Sequence, residues 1–200
     1  MRAPFEQIYY DVIQNLGYNL PSYYTYHSVR HTIYVEKMAY YLARRMEMPE
    51  EDIYLIRVAA IYHDTGFLVQ KDNHEEISCE LAAGELMKYG LSAEDISKVT
   101  GMIRATKIPQ HPRNVLEDIL ADADLEYLST ENFGRVNNLL LDELRHFNPE
   151  LSQEEWDKIQ ISFLEKHSYH TAFYKKNKEN FKQQHLRKLK EKYGVYSSTS

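Results

Sequence analysis

Apolar residues recur at the spacing of an α-helix along almost the whole chain, and this periodicity limits the fold more than any other feature. Residues 3–16 place Phe5, Ile8 and Val12 on one face, and residues 53–61 are apolar nearly all round. Glycine and proline make only 13 of the 200 residues, about half their average share, which disfavours a sandwich or barrel with many turns. We therefore predict an all-α protein in which residues 53–61 form a central, buried helix.

Helix start and stop signals divide the chain into about eight or nine helices. Gly17 and Gly90 are typical stops, and the acidic residues after Pro49 and Ser92 are typical starts. The predicted helices lie at about 3–16, 28–46, 49–62, 74–89, 92–106, 114–128, 132–146, 152–168 and 170–193. Because no linker or internal repeat separates them, we expect a single domain over residues 1–200.

Cysteine content and charge exclude several classes of protein. The one cysteine, Cys79, excludes a disulfide framework within the chain and a cysteine-rich zinc module. Nine histidines remain, so a metal site would have to consist of imidazoles and carboxylates. The net charge of −6 argues against nucleic acid as a partner. With no apolar signal segment at the N-terminus and no run of ~18 apolar residues, we expect a cytoplasmic protein without a membrane partner.

The positive charge is concentrated near the end of the chain. Residues 175–192 carry eight lysines and arginines against two glutamates, a local charge of +6, so the remainder sums to −12. We expect a terminal helix that packs on acidic residues. The alternative is a tail that attracts phosphate or RNA.

Two short segments contain histidines at positions suited to binding a metal. His27 and His31 are one helical turn apart and share a face. His63 and Asp64 follow the most apolar helix directly, where two ionisable side chains are costly to bury unless a cation compensates. The alternative is an aspartate that caps the helix beside an ordinary buried histidine.

A third segment contributes carboxylates. Asp122 and Asp124 lie within the otherwise apolar run 119–128, so burial of the run carries a carboxylate inward. Two imidazoles and two carboxylates make a donor set that suits a divalent Mn, Fe, Co, Ni, Mg or Zn ion.

The ordered pattern of His, His-Asp and Asp on helices resembles the HD superfamily of metal-dependent phosphohydrolases. The flanking sequences also resemble those of the family: Tyr-His-x-x-x-His-Thr at residues 26–32, Ala-Ala-Ile-Tyr-His-Asp-Thr-Gly at 59–66 and Asp-Ala-Asp-Leu at 122–125. The resemblance implies a compact multi-helix HD-domain bundle, with the metal-site core at about 22–130 and a helical extension at about 131–195. It implies these metal ligands: His31, His63, Asp64 and Asp124, with Asp122 as the alternative to Asp124.

The resemblance also implies an activity, in which a water molecule activated by the metal attacks the phosphorus of a phosphoester. The substrate would be a nucleotide or another small phosphorylated metabolite. His27 corresponds to the general acid of phosphodiesterases that share the His-x-x-x-His element, and Asp64 is expected to be catalytic as well as a ligand. His74 resembles a second-metal ligand of some relatives, and we expect it to line the pocket or hold a loose second ion. A surface histidine at a helix start is the alternative for His74.

Three further residues are candidates for binding the substrate phosphate: Arg30, Thr106 and Lys107. A lysine in this position is often merely solvated. The second candidate function is a catalytically weak or inactive HD regulatory module that binds a nucleotide. The expected partner is a small phosphoester, and the tyrosine-rich C-terminal region is compatible with a homodimer.

Overall fold

The computed structural model describes residues 2–194, and all regular elements in that range are helical. The all-α prediction is confirmed, with ten α-helices, slightly more than the eight or nine expected. Two short 3₁₀ helices, Thr65–Leu68 and Glu126–Ser129, are also present. The α-helices are α1 Phe5–Asn19, α2 Val29–Arg45, α3 Glu50–Tyr62, α4 His74–Leu86, α5 Ala93–Ala105, α6 Val115–Asp124, α7 Phe133–Phe147, α8 Gln153–Lys166, α9 Ala172–Asn177 and α10 Glu179–Lys192.

Three predicted boundaries are wrong. Helix α1 continues past Gly17 and ends where Leu20 becomes extended, because the residue before a proline disfavours helical backbone. The predicted helix at 114–128 ends at Asp124 and continues as a 3₁₀ turn. The predicted helix at 170–193 is divided at Lys178 into α9 and α10, and nothing in the structure explains the break.

The chain divides into two compact units, one up to Asp124 and one from Leu125. In the first unit, α3 packs against α1, α2, α5 and α6. Ile53, Ile56, Ala60 and most other side chains of α3 are therefore buried, as its sequence predicts. This central position carries the end of α3 into the interior of the unit.

In the second unit, α10 packs on α8 and on the 3₁₀ helix Glu126–Ser129. Several lysines of the basic segment meet acidic side chains of the same unit: Lys178 with Glu126 at 2.6 Å, Lys190 with Glu165 at 2.6 Å and Lys192 with Asp157 at 2.6 Å. The basic helix thus packs on acidic partners, as its charge pattern indicates.

No helix within residues 2–194 combines the length and the apolar character needed to cross a bilayer. The single domain over residues 1–200 stays a prediction, and residue 195, the end of the predicted extension, lies outside the described residues.

Candidate metal centre

Three helices of the first unit bring four potential metal ligands together. His31 lies in the first turn of α2, His63 and Asp64 follow the end of α3, and Asp124 is the last residue of α6. Helices α2, α3 and α6 all pack on one another. The apolar faces that drive this packing therefore determine where the four polar side chains meet.

The four side chains converge on one small space, and we call them the metal-ligand cluster. Nε2 of His31 is 3.1 Å from Oδ1 of Asp124 and 3.3 Å from Nε2 of His63. Oδ2 of Asp64 is 3.1 Å from Nε2 of His63 and 3.3 Å from that of His31. Nitrogen and oxygen donors in this ratio suit a divalent transition metal or Mg²⁺.

Two details of the cluster fit a cation at its centre. Nδ1 of His63 is 2.7 Å from the carbonyl oxygen of Ala60 and donates its proton there, so Nε2 is directed at the cluster and can serve as a ligand once a metal replaces its proton. Oδ2 of Asp64 is buried and accepts no well-formed hydrogen bond from residues 2–194. A buried carboxylate oxygen without a donor is costly, and a cation would offset that cost.

The electrostatics of the cluster follow from burial and mutual charge. Burial alone lowers the pKa of a histidine, but Asp124 and Asp64 outweigh it and raise the pKa of His31. The same carboxylates raise the pKa of His63 well above its ordinary value. In turn, the two histidines overcome the effect of burial and hold the pKa of Asp64 far below its usual range and that of Asp124 at about 2. A metal that binds here must therefore replace protons held by the imidazoles.

Of the two candidate aspartates in α6, the structure brings Asp124 into the cluster. Asp122 is fully buried at another point of the same helix, because residues two apart point in nearly opposite directions. Both follow an alanine in an apolar run, so the sequence left this choice open.

His27 and His74 lie beside the cluster. The ring of His27 is 6.0 Å from that of His31, between centroids. Nε2 of His74 is 3.6 Å from Oδ1 of Asp64 and 3.6 Å from Oε1 of Glu75. Glu75 is a buried acid that the sequence analysis missed, since a glutamate in the first turn of a helix is ordinarily a solvated dipole partner.

The three predicted substrate-binding residues differ in their placement. Lys107 is exposed, and its Nζ donates to Oδ1 of Asn73, the residue before His74, at 3.3 Å. Thr106 is buried, and its hydroxyl donates to the carbonyl oxygen of Ile103 at the end of α5. Arg30 is exposed on α2 and makes no ion pair within residues 2–194. Of the three side chains, Lys107 is the one that contacts the residue before His74.

Comparisons with known proteins agree with this geometry. The HD domain model matches residues 29–125, from the start of α2 to just after Asp124. A predicted HD superfamily hydrolase from an uncultured Thermotogales bacterium has a similar structure, with a TM-score of 0.63 and 18% identity over 96% of this chain and 95% of that one. YpgQ of Bacillus subtilis, solved in complex with ADP, gives a TM-score of 0.59 and 18% identity over 94% of each chain. No curated protein matches the sequence.

At 18% identity the two structural likenesses establish the fold alone. The family model, by contrast, spans the three helices that supply the cluster. Because the matched span contains all four clustered side chains, this chain carries an HD domain at residues 29–125.

Proposed function

We propose that the protein is a metal-dependent phosphohydrolase that cleaves a phosphoester of a nucleotide or of another small phosphorylated metabolite. One observation carries the proposal. His31, His63, Asp64 and Asp124 converge with donor atoms 3.1–3.5 Å apart, and one buried carboxylate oxygen lacks a hydrogen bond. Such a donor set is suited to hold a divalent cation, and a cluster of strongly shifted pKa values is typical of a functional site.

The four clustered side chains would hold the ion. When bound, such an ion would supply positive charge that attracts the phosphoester anion, and it would lower the pKa of a water molecule towards neutrality. Asp64 and Asp124 keep their negative charge at neutral pH, since the pKa of each carboxyl is held below its ordinary value. They therefore favour the cation, while Ala60 keeps the ring of His63 in the orientation that presents Nε2.

His27 is the proposed proton donor to the leaving oxygen. It is partly exposed, close to the cluster but outside it, and its ring is one helical turn from that of His31. A leaving alkoxide or phosphate needs a proton as the bond to phosphorus breaks, and histidine is the common donor near neutral pH. Lys107, whose Nζ donates to Asn73, supplies a positive charge that can pair with the phosphate being cleaved or with a second phosphate of the substrate.

The nucleotide is favoured as substrate because a protein of the same fold, YpgQ, was solved with ADP. The test combines metal analysis of the purified protein with a panel of nucleoside mono-, tri- and cyclic phosphates in Mn, Mg, Co and Ni. We expect release of phosphate or of a nucleoside product, and loss of both metal and turnover in His63→Ala. Tight nucleotide binding without turnover in any metal would overturn the proposal and support the regulatory module instead.

A further inference from the structure

Phe67 contacts the two histidines that lie beside the metal-ligand cluster. Its ring stacks on His27 at a centroid distance of 4.2 Å and an interplanar angle of 25°, and on His74 at 4.1 Å and 24°. The centroids of His27 and His74 are 6.0 Å apart. Phe67 itself is only 3% exposed. A single buried ring therefore contacts both imidazoles.

The three rings come from separate parts of the chain. His27 precedes α2, and His74 begins α4. Phe67 lies three residues after Asp64, in the 3₁₀ helix Thr65–Leu68. Tyr24 packs edge-on against Phe67 at 4.9 Å, which adds a second contact from the segment before α2. Phe67 thus contacts two histidines from different parts of the chain. It links both of them to the segment that follows His63 and Asp64.

The segment that carries Phe67 is itself firmly placed. The N–H of Gly66 donates to Oγ of Ser78 in α4 at 2.8 Å. A β-carbon on Gly66 would be 2.0 Å from the carbonyl oxygen of His74, so the 3₁₀ helix and the start of α4 are in close backbone contact. The backbone that carries Phe67 is therefore held against α4 by a hydrogen bond and by close packing.

We propose that Phe67 is a positioning residue that sets the imidazoles of His27 and His74 beside the metal-ligand cluster. The role for turnover rests on the proposed phosphohydrolase function. A proton donor is effective only within a narrow range of positions, and a displacement of about 1 Å reduces rate by on the order of 100-fold. Phe67 acts through the two histidines and does not touch the reacting atoms.

The first experiment does not depend on turnover. The ring protons of His27 and His74 are recorded by NMR in Zn²⁺-loaded protein and assigned with His27→Gln and His74→Gln. In Phe67→Leu we expect both sets of signals to lose the upfield shift caused by the phenyl ring, while the signals of His31 and His63 keep their positions. In Phe67→Tyr, which keeps an aromatic ring, the upfield shift should remain.

The second experiment measures kcat, KM and metal content in the same variants. We expect Phe67→Leu to lower kcat about 10- to 100-fold at unchanged metal content. Phe67→Tyr should keep most of the kcat of the unaltered protein. Phe133→Leu is the matched control. Phe133 is a buried phenylalanine that stacks on His185 at 4.6 Å and 21° in the second unit. This variant should move the signals of His185 alone and leave kcat unchanged.

A mutant cycle separates positioning from general destabilisation. If Phe67 acts through the histidines, Phe67→Leu should change kcat less than about 2-fold in a background that already carries His27→Gln and His74→Gln. If Phe67→Leu does not fold, the same measurements are made on Phe67→Met, which also lacks the ring but fills more of the space that it occupied.

Unmoved histidine signals, loss of bound metal, or a fully additive effect in the cycle would each overturn the role of Phe67. Failure of the proposed function has a different signature. The unaltered protein would then show no turnover with any phosphoester, while the NMR experiment would still decide whether Phe67 positions the two imidazoles.

Discussion

Gly66 lies so close to His74 that a β-carbon at position 66 would be 2.0 Å from the carbonyl oxygen of His74. Real β-carbons do not approach backbone oxygens at this distance, and a backbone carbonyl cannot rotate out of the way as a side chain can. Space, rather than backbone conformation, therefore restricts position 66 to glycine. The contact also fixes the distance between the residues that follow Asp64 and the start of α4.

Gly66→Ala should therefore separate the 3₁₀ helix from α4. We expect the free energy of unfolding to fall by about 1–3 kcal/mol, as for other overpacked sites, and the affinity for Mn²⁺ to fall with it. Urea unfolding followed by circular dichroism and calorimetric titration measure the two effects. Gly84→Ala is the control on the same region of chain: Gly84 is exposed in α4 with no atom within 4 Å of a β-carbon, and alanine should stabilise the helix there by about 0.4–1 kcal/mol. Equal stability of the two variants would contradict the argument.

The two aspartates of α6 should differ sharply in their effect on metal binding. Asp124→Asn removes the charged oxygen that lies 3.1 Å from His31, and we expect Kd for Mn²⁺ to rise at least about 100-fold. Asp122→Asn alters an equally sized buried side chain two residues away and should keep the bound metal. Metal content after purification and calorimetric titration decide between them. A normal Kd in Asp124→Asn would remove Asp124 from the proposed ligand set.

The sequence was sufficient for the parts of the site that have a local signature. Burial of α3 and the spacing of His27 and His31 are local properties that made His31, His63 and Asp64 candidates, and the resemblance to the HD superfamily implied that they are ligands. The choice of Asp124 over Asp122 depends on how α6 is rotated against α2 and α3, which is a property of tertiary packing. Glu75 was missed for the same reason, since its burial depends on the 3₁₀ segment that lies over α4.

The ends of helices could also be predicted only in part from the sequence. Helix α1 ends just before the proline at position 21, whereas Gly17 keeps a helical backbone within α1. The break at Lys178 has no proline or glycine to mark it, so the pattern of residues 170–193 predicts one continuous helix where the structure has two.

The stability of the second unit should depend on pH through His167. Burial, together with electrostatic interactions with the nearby Lys182 and His170, lowers the pKa of His167 to about 3. An unfolded histidine has a pKa near ~6.5. Between these values the unfolded chain binds a proton that the folded chain does not, so the free energy of unfolding falls as pH falls, by at most about 1.4 kcal/mol per pH unit.

His167→Asn keeps a side-chain acceptor near Nζ of Lys182 but has no proton to gain. Urea unfolding at pH 7, 6 and 5 should therefore give a shallower dependence on pH in this variant than in the unaltered protein. His146→Asn, which replaces an exposed histidine of α7, is the matched control. An identical slope in His167→Asn and the unaltered protein would show that His167 is not responsible.

Lys107→Met should weaken substrate binding without removing the metal. The ammonium group lies 3.3 Å from Asn73, next to His74, where it can approach a substrate phosphate. We expect KM to rise about 5- to 20-fold with kcat reduced less than about 2-fold, because a contact equal in ground and transition states changes KM alone. Lys98→Met removes a lysine of α5 that pairs with Glu94, and it should leave both constants unchanged. A loss confined to kcat in Lys107→Met would contradict the proposed contact.

The residues of the metal-ligand cluster are far apart in the chain, and His31 and Asp124 are separated by 93 in sequence number. A cation held by both would tie the ends of that long loop together, in a chain whose single cysteine cannot form an internal disulfide. Such a tie removes loop-closure entropy from the unfolded state, which is how a covalent cross-link stabilises a fold. The ion would then act as a removable cross-link of the first unit, so that a chelator would loosen the same three helices that present the proposed metal ligands.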